Sequence, residues 1–172
     1  MGNCSSRKLD PSGRTLVFSA HPSPFGTGLS AALDSVGRVV VGGYIVSGAT
    51  LLKDGIWQFT GLLPMVNPLA EGVPERTVCG GPPVGRDCKD GFLMVLDAEG
   101  RSLLLSSPLA GKSDDSVAKI QFDPSGNLYA FGHGMQGFRL PGTPDGASFV
   151  VKIEPVGPPP LAKGAALVNS AD

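Results

Sequence analysis

The chain repeats itself, and the repeated piece is a tight turn followed by a strand-like run. Leu9-Asp10-Pro11-Ser12-Gly13-Arg14 leads into Thr15-Leu16-Val17-Phe18-Ser19. Leu96-Asp97-Ala98-Glu99-Gly100-Arg101 leads into Ser102-Leu103-Leu104-Leu105-Ser106, 87 residues further on. A second pair, Leu33 to Val41 and Phe122 to Ala130, is offset by 89 residues. Offsets that agree within two residues point to one duplicated module with a small indel. A third start, Phe149-Val150-Val151-Lys152-Ile153-Glu154-Pro155, matches Phe92 to Ala98 at 57 residues. The unit is then about 57 residues with a short outer loop and about 87 with an inserted one.

The turns have a mechanism. In Asp10-Pro11-Ser12-Gly13 the Asp side chain accepts from backbone amides ahead of it and Pro presets φ. Gly takes a left-handed conformation that closes a hairpin with a bulge. Asp34-Ser35-Val36-Gly37 is another such turn. Between the turns lie short β-branched and apolar runs, and Arg38 to Tyr44 is continuous enough to be buried on both faces. The clearer copy predicts four strands: Gly91–Leu96, Ser102–Ser107, Ser116–Phe122 and Asn127–Gly132. Such a module cannot bury both faces alone and must stack on neighbours, as propeller blades do. The expected fold is therefore all-β: propeller-type blades of four antiparallel strands, about two blades and one strand, an incomplete propeller.

The organisation follows. A first blade covers 1–50, an inserted Pro/Gly-rich loop 51–90, a second blade and the first strand of a third 91–155, and a Pro-rich tail 156–172. The inserted sequence departs from the repeat at Ser47 and runs to Asp90. It carries Trp57 in Gly55-Ile56-Trp57-Gln58-Phe59, and its prolines break regular elements. A loop this long in a compact domain packs on the sheet or carries function. His21-Pro22-Ser23-Pro24 reads as a loop. The tail, Leu161 to Asp172, reads as a mobile or partner-docked end.

Composition removes several function classes. There are 25 Gly and 16 Pro, which suits a turn-rich β fold. Net charge is −1 with no basic stripe, so nucleic acid is not an expected partner. No apolar run approaches the ~20 residues of a membrane-spanning helix. No apolar leader stands at the N-terminus as written. Gly2 with Ser6, and Cys4 beside Arg7-Lys8, match a lipidation pattern, but the motif is short and occurs by chance. The expected reading there is the first strand of a blade, not an anchor.

Cys79 and Cys88 flank a Gly/Pro-rich loop. A disulfide between them would close a short ring worth roughly 2–3 kcal/mol. The alternative is two unrelated thiols. A zinc site would need two more ligands, and neither His21 nor His133 stands at motif spacing. Oxidised cysteines argue for an extracytoplasmic location.

The stretch from Phe92 to Gly132 resembles the bacterial seven-bladed β-propeller (SBBP) repeat. The matching residues are Phe92 to Asp97, Ser102 to Ser107, Gly111-Lys112-Ser113-Asp114-Asp115 and Ile120 to Tyr129. The upstream copy departs from it: Cys4 to Lys8 replace an apolar first strand, and Pro24-Phe25-Gly26-Thr27 stand where the Asp pair would be. The resemblance implies a secreted or surface-exposed repeat domain, and it transfers no catalytic residues.

Chemistry-bearing candidates are few. Asp114 and Asp115 could hold a hard cation such as calcium, or simply satisfy their own turn. His133, after a strand end, could face a channel, or be a lone histidine, packed or exposed. Trp57 could be a platform for a carbohydrate, or a packed anchor. No nucleophile elbow or phosphate loop is present. The expectation is a non-enzymatic structural or interaction subunit of a larger extracytoplasmic or membrane-associated assembly, with no cofactor and no metal, whose partners are other protein subunits or further blades. A carbohydrate-binding module using Trp57 is the alternative, and an enzyme fragment a third reading.

Overall fold

The computed structural model describes residues 4–23, 26–51, 57–60, 63–69, 88–111, 114–134, 148–153 and 165–167. These residues form only strands, turns and irregular connections. The strands are β1 (Cys4–Leu9), β2 (Leu16–Ser23), β3 (Gly26–Leu33), β4 (Val39–Leu51), β5 (Trp57–Thr60), β6 (Cys88–Leu96), β7 (Leu103–Pro108), β8 (Asp115–Phe122), β9 (Leu128–Gly134), β10 (Ser148–Ile153) and β11 (Ala165–Leu167). All pairings between them are antiparallel. The fold is all-β, as expected.

Three sheets result. Among the described residues β1 and β2 pair alone, the second sheet runs β3-β4-β6-β7 with β5 on the far end of β4, and the third runs β11-β10-β9-β8. Among the described residues they do not close into a ring.

The strand grouping differs from the one read in the repeat. The strands at 91–96 and 102–107 were expected to share a sheet with those at 116–122 and 127–132. Instead β6 and β7 complete the sheet begun by β3 and β4, and β8 starts the next one. The cause is the free edge of β6. It is occupied by β4 over an unbroken register from Val39↔Leu96 to Ser47↔Cys88. Periodicity gives the length of a repeat but not where one sheet ends.

Three expected loops are strands instead. β4 continues past Ser47 to Leu51 and takes β5 in the register Gly48↔Thr60 to Leu51↔Trp57, so the inserted sequence begins as a hairpin. β2 runs through His21 and Pro22 to Ser23. Part of the tail, Ala165–Leu167, adds a strand to β10. Backbone ladders supplied partners that composition did not reveal.

The core lies between sheets. Val40, Leu93, Val95 and Leu105 of the second sheet meet Val117, Ile120, Leu128, Ala130, Phe149, Val151 and Ile153 of the third. On the opposite face, Val39, Val41, Ile45, Phe92, Met94 and Leu96 pack with Phe18 of β2. Alternation along β4 and β6 therefore sends successive apolar side chains to two different cores. Burial of β4 on both faces from Val39 to Val41 agrees with the continuous run in the sequence. Phe92, Leu93 and Met94 are fully buried, each contributing about 1.5–3 kcal/mol.

The duplication extends to backbone irregularities. The β3–β4 ladder shifts register between Gly28 and Ser30, and the β8–β9 ladder between Val117 and Lys119, 89 residues on. The β1–β2 ladder shifts between Lys8 and Leu9, and the β6–β7 ladder between Val95 and Leu96, 87 residues on. Bulges bend and twist a strand, so matching bulges give matching sheet curvature.

Candidate functional site

The turns come in two alternating kinds. Gly13 and Gly100 have φ of 71° and 70°, and Gly37 and Gly126 both have 84°. In the first kind the Asp N–H donates five residues ahead, Asp10 to the Thr15 carbonyl at 2.9 Å and Asp97 to that of Ser102 at 3.0 Å. In the second it donates four ahead, Asp34 to Arg38 at 3.1 Å and Asp123 to Asn127 at 3.0 Å. Each Asp carboxylate also accepts from an amide four residues on: Arg14, Arg38, Arg101 and Asn127. Asp34 is further held by the Arg38 guanidinium.

These bonds act on the carboxyls' acidity. The Ser12 hydroxyl, with backbone donors, holds Asp10 below the usual carboxylate range. The Asn127 side chain does the same for Asp123. At Asp97 desolvation is the largest single influence and pushes upward, but the donors from Arg101, Ser102 and Gly100 together outweigh it and hold the carboxyl below its usual range. The turn aspartates are thus spent on local amides.

Asp114 and Asp115 lie where the chain leaves the second sheet for the third. The buried Asp115 carboxylate accepts from the Gly111 N–H at 2.6 Å. Asp114 accepts from the Lys89 N–H at 3.1 Å, at the start of β6. Nearby, Leu109 N–H donates to the Gly91 carbonyl at 2.8 Å, and the Lys89 ammonium stands 5.0 Å from the Tyr44 ring centre. One carboxylate thus holds the crossover itself and the other ties it to the start of β6.

His133 is on β9, in register with Ser116 of β8 and Ser148 of β10, and is exposed. Asp115 is in register with Gly134, so strand alternation puts its carboxylate on the other face of the sheet from the His133 imidazole. The structure does not bring this pair together. Trp57 and Cys88 stand in β5 and β6, but their side chains, together with all of Cys79, lie outside the described residues. So do the candidate disulfide and the Gly2 end of the lipidation motif. Among the described residues no cluster of three or more His, Cys, Asp or Glu is arranged to hold a metal. No helix among them is long and apolar enough to cross a membrane.

Sequence reasoning missed Lys8. Its Nζ donates to the Gly37 carbonyl at 2.9 Å and to the Ala98 carbonyl at 3.0 Å. One ammonium thus ties the first sheet to two turns of the second. The available signal was a lysine standing where the repeat puts Val95, a buried residue.

No family model matches this chain, and no curated protein matches it.

Proposed function

We propose that the chain is a non-enzymatic repeat scaffold, a propeller-type module of the SBBP kind. It serves as a structural or interaction subunit of a larger surface, secreted or membrane-associated assembly. The observation that carries this reading is the middle of the second sheet, β4 and β6, whose apolar side chains are buried on both faces between two other sheets. Its construction is modular: a sheet of this kind is stabilised by what stacks on it. Among the described residues each outer sheet packs one face on it, so further sheets would extend the array. Charged groups at the turns and at the crossover are engaged in holding backbone amides, which fits a scaffold.

The test is the native mass of the assembly isolated gently from its own source. A complex well above the 17.6 kDa of one chain is expected. A lone chain of that mass would overturn the reading.

A further inference from the structure

The duplication allows the three sheets to be compared position by position. β1–β2 corresponds to β6–β7, and β3–β4 corresponds to β8–β9, by the offsets and bulges above. β6 has β7 on one side and β4 on the other. β10, its counterpart in the third sheet, has β9 and β11. Among the described residues β1 has β2 alone. Within them the first sheet therefore does not carry the two strands that β3–β4 and β8–β9 supply to the others.

The neighbouring face lacks the same cover. Leu33 of β3 corresponds to Phe122 of β8, and Ala31 to Ile120. Ile120 is 5 % exposed beneath the second sheet, and Phe122 packs against the same core. Leu33 is 55 % exposed, and Leu29, the extra residue of the bulge just before Ser30, is 47 % exposed. Val36, in the adjoining turn, is 65 % exposed. An open strand edge and an apolar patch thus adjoin, where the repeat elsewhere places a hairpin.

We propose that this corner is an acceptor for a β-hairpin from a partner protein. One strand of the hairpin pairs with β1 along Arg7 to Leu9. The hairpin's alternate apolar residues cover Leu29, Ala31 and Leu33. The occupant is of the β3–β4 kind, two antiparallel strands with apolar residues at every second position. A second copy of this chain has no spare hairpin of that kind among the described residues. β4 is held between β3 and β6, and β9 between β8 and β10. The surface continues the contact that β1 already makes through Lys8 to the Gly37 turn. Main-chain pairing supplies affinity and the alternate side chains supply selectivity. This inference rests on the scaffold reading, and names where and with what the scaffold joins.

The probe is a synthetic peptide of residues 115–134, the chain's own β8–β9 sequence, added in excess to the full chain. Amide hydrogen exchange is followed at Arg7 to Leu9 and at Ala31 to Leu33. Exchange at Arg7 to Leu9 is expected to slow by about tenfold or more. The effect is expected to be lost in Leu33→Asp and in Leu29→Asp, both at exposed positions that leave the fold intact. Unchanged exchange at saturating peptide would overturn the proposal, as would equal protection in both variants. Protection of β1 without peptide, in a species of twice the chain mass, would also overturn it by showing a second copy in place. A large native assembly in which β1 still exchanges freely would sink this inference alone. A lone native chain that nonetheless takes up the peptide would sink the scaffold reading alone.

Discussion

Phe18 of β2 rests directly on Gly100, in the turn between β6 and β7. A Cβ at Gly100 would come within 2.7 Å of Phe18 Cδ1 and closer still to other ring atoms. The glycine meets two demands there, a φ of 70° and the close approach of a ring from another sheet.

Gly13 separates the two demands. It has nearly the same φ, 71°, and nothing within 4 Å of where a Cβ would be. Gly13→Ala is expected to cost about 1 kcal/mol, from backbone conformation alone. Gly100→Ala is expected to cost at least about 2–3 kcal/mol, because the clash is added. Phe18→Ala should cost about 3 kcal/mol and relieve most of the Gly100→Ala penalty, a coupling readable in a double-mutant cycle. Chemical denaturation of the four proteins measures all of this.

Asp115 is expected to matter for stability and not for calcium. Asp115→Ala leaves the Gly111 N–H without this acceptor in a buried place, for a loss of about 2–3 kcal/mol. Adding millimolar calcium to the wild-type chain should leave its thermal midpoint unchanged. A calcium-dependent rise abolished by Asp115→Asn would show a cation site at the crossover.

Acid should destabilise the chain through its turns. The carboxyls of Asp10, Asp97 and Asp123 titrate lower when folded than the ordinary Asp value of 3.8. A depressed folded value means the stabilisation is present above 3.8 and is lost as pH falls from there through the folded value. Denaturation midpoints should therefore be flat near neutrality and decline below about pH 4. Replacing the three aspartates with Asn should flatten that decline.

Ser106 is the converse case. Its hydroxyl is fully buried with no hydrogen-bond partner among the described residues, although its backbone pairs with Val66 through bonds of 3.2 and 2.7 Å. Ser106→Ala removes an unsatisfied group without touching that bridge. It should be neutral or stabilising by up to about 1 kcal/mol in the same denaturation assay.

What could be read from the residues divides along a physical line. Turn chemistry was legible because Asp and Gly act locally: the four turns stand where Asp10, Asp34, Asp97 and Asp123 put them. The double burial of Val39 to Val41 was legible from an unbroken β-branched run. Sheet membership was not, since the choice between β4 and β9 as neighbours of the β6–β7 hairpin is made by long-range pairing. Nor was the fate of Leu63 to Leu69 in the inserted sequence. Val66 bridges Ser106, Asn67 donates to the Leu104 carbonyl at 3.0 Å, and Leu69 N–H donates to the Ser107 hydroxyl at 3.1 Å, so this segment covers the outer edge of β7. One strand edge is thus capped by the chain itself, which no local pattern announces. Asp114 and Asp115 could be found as a pair, but only the crossover geometry shows which amides they hold.

Amide hydrogen exchange of the isolated chain tests the stacking most directly. β6, buried from Asp90 to Leu96 and paired on both edges, should exchange slowest, with β4 close behind. Arg7 to Leu9 of β1 should exchange faster by about a hundredfold or more. Equal protection of β1 and β6 would contradict a dry β4–β6 centre flanked by modules that still need a neighbour.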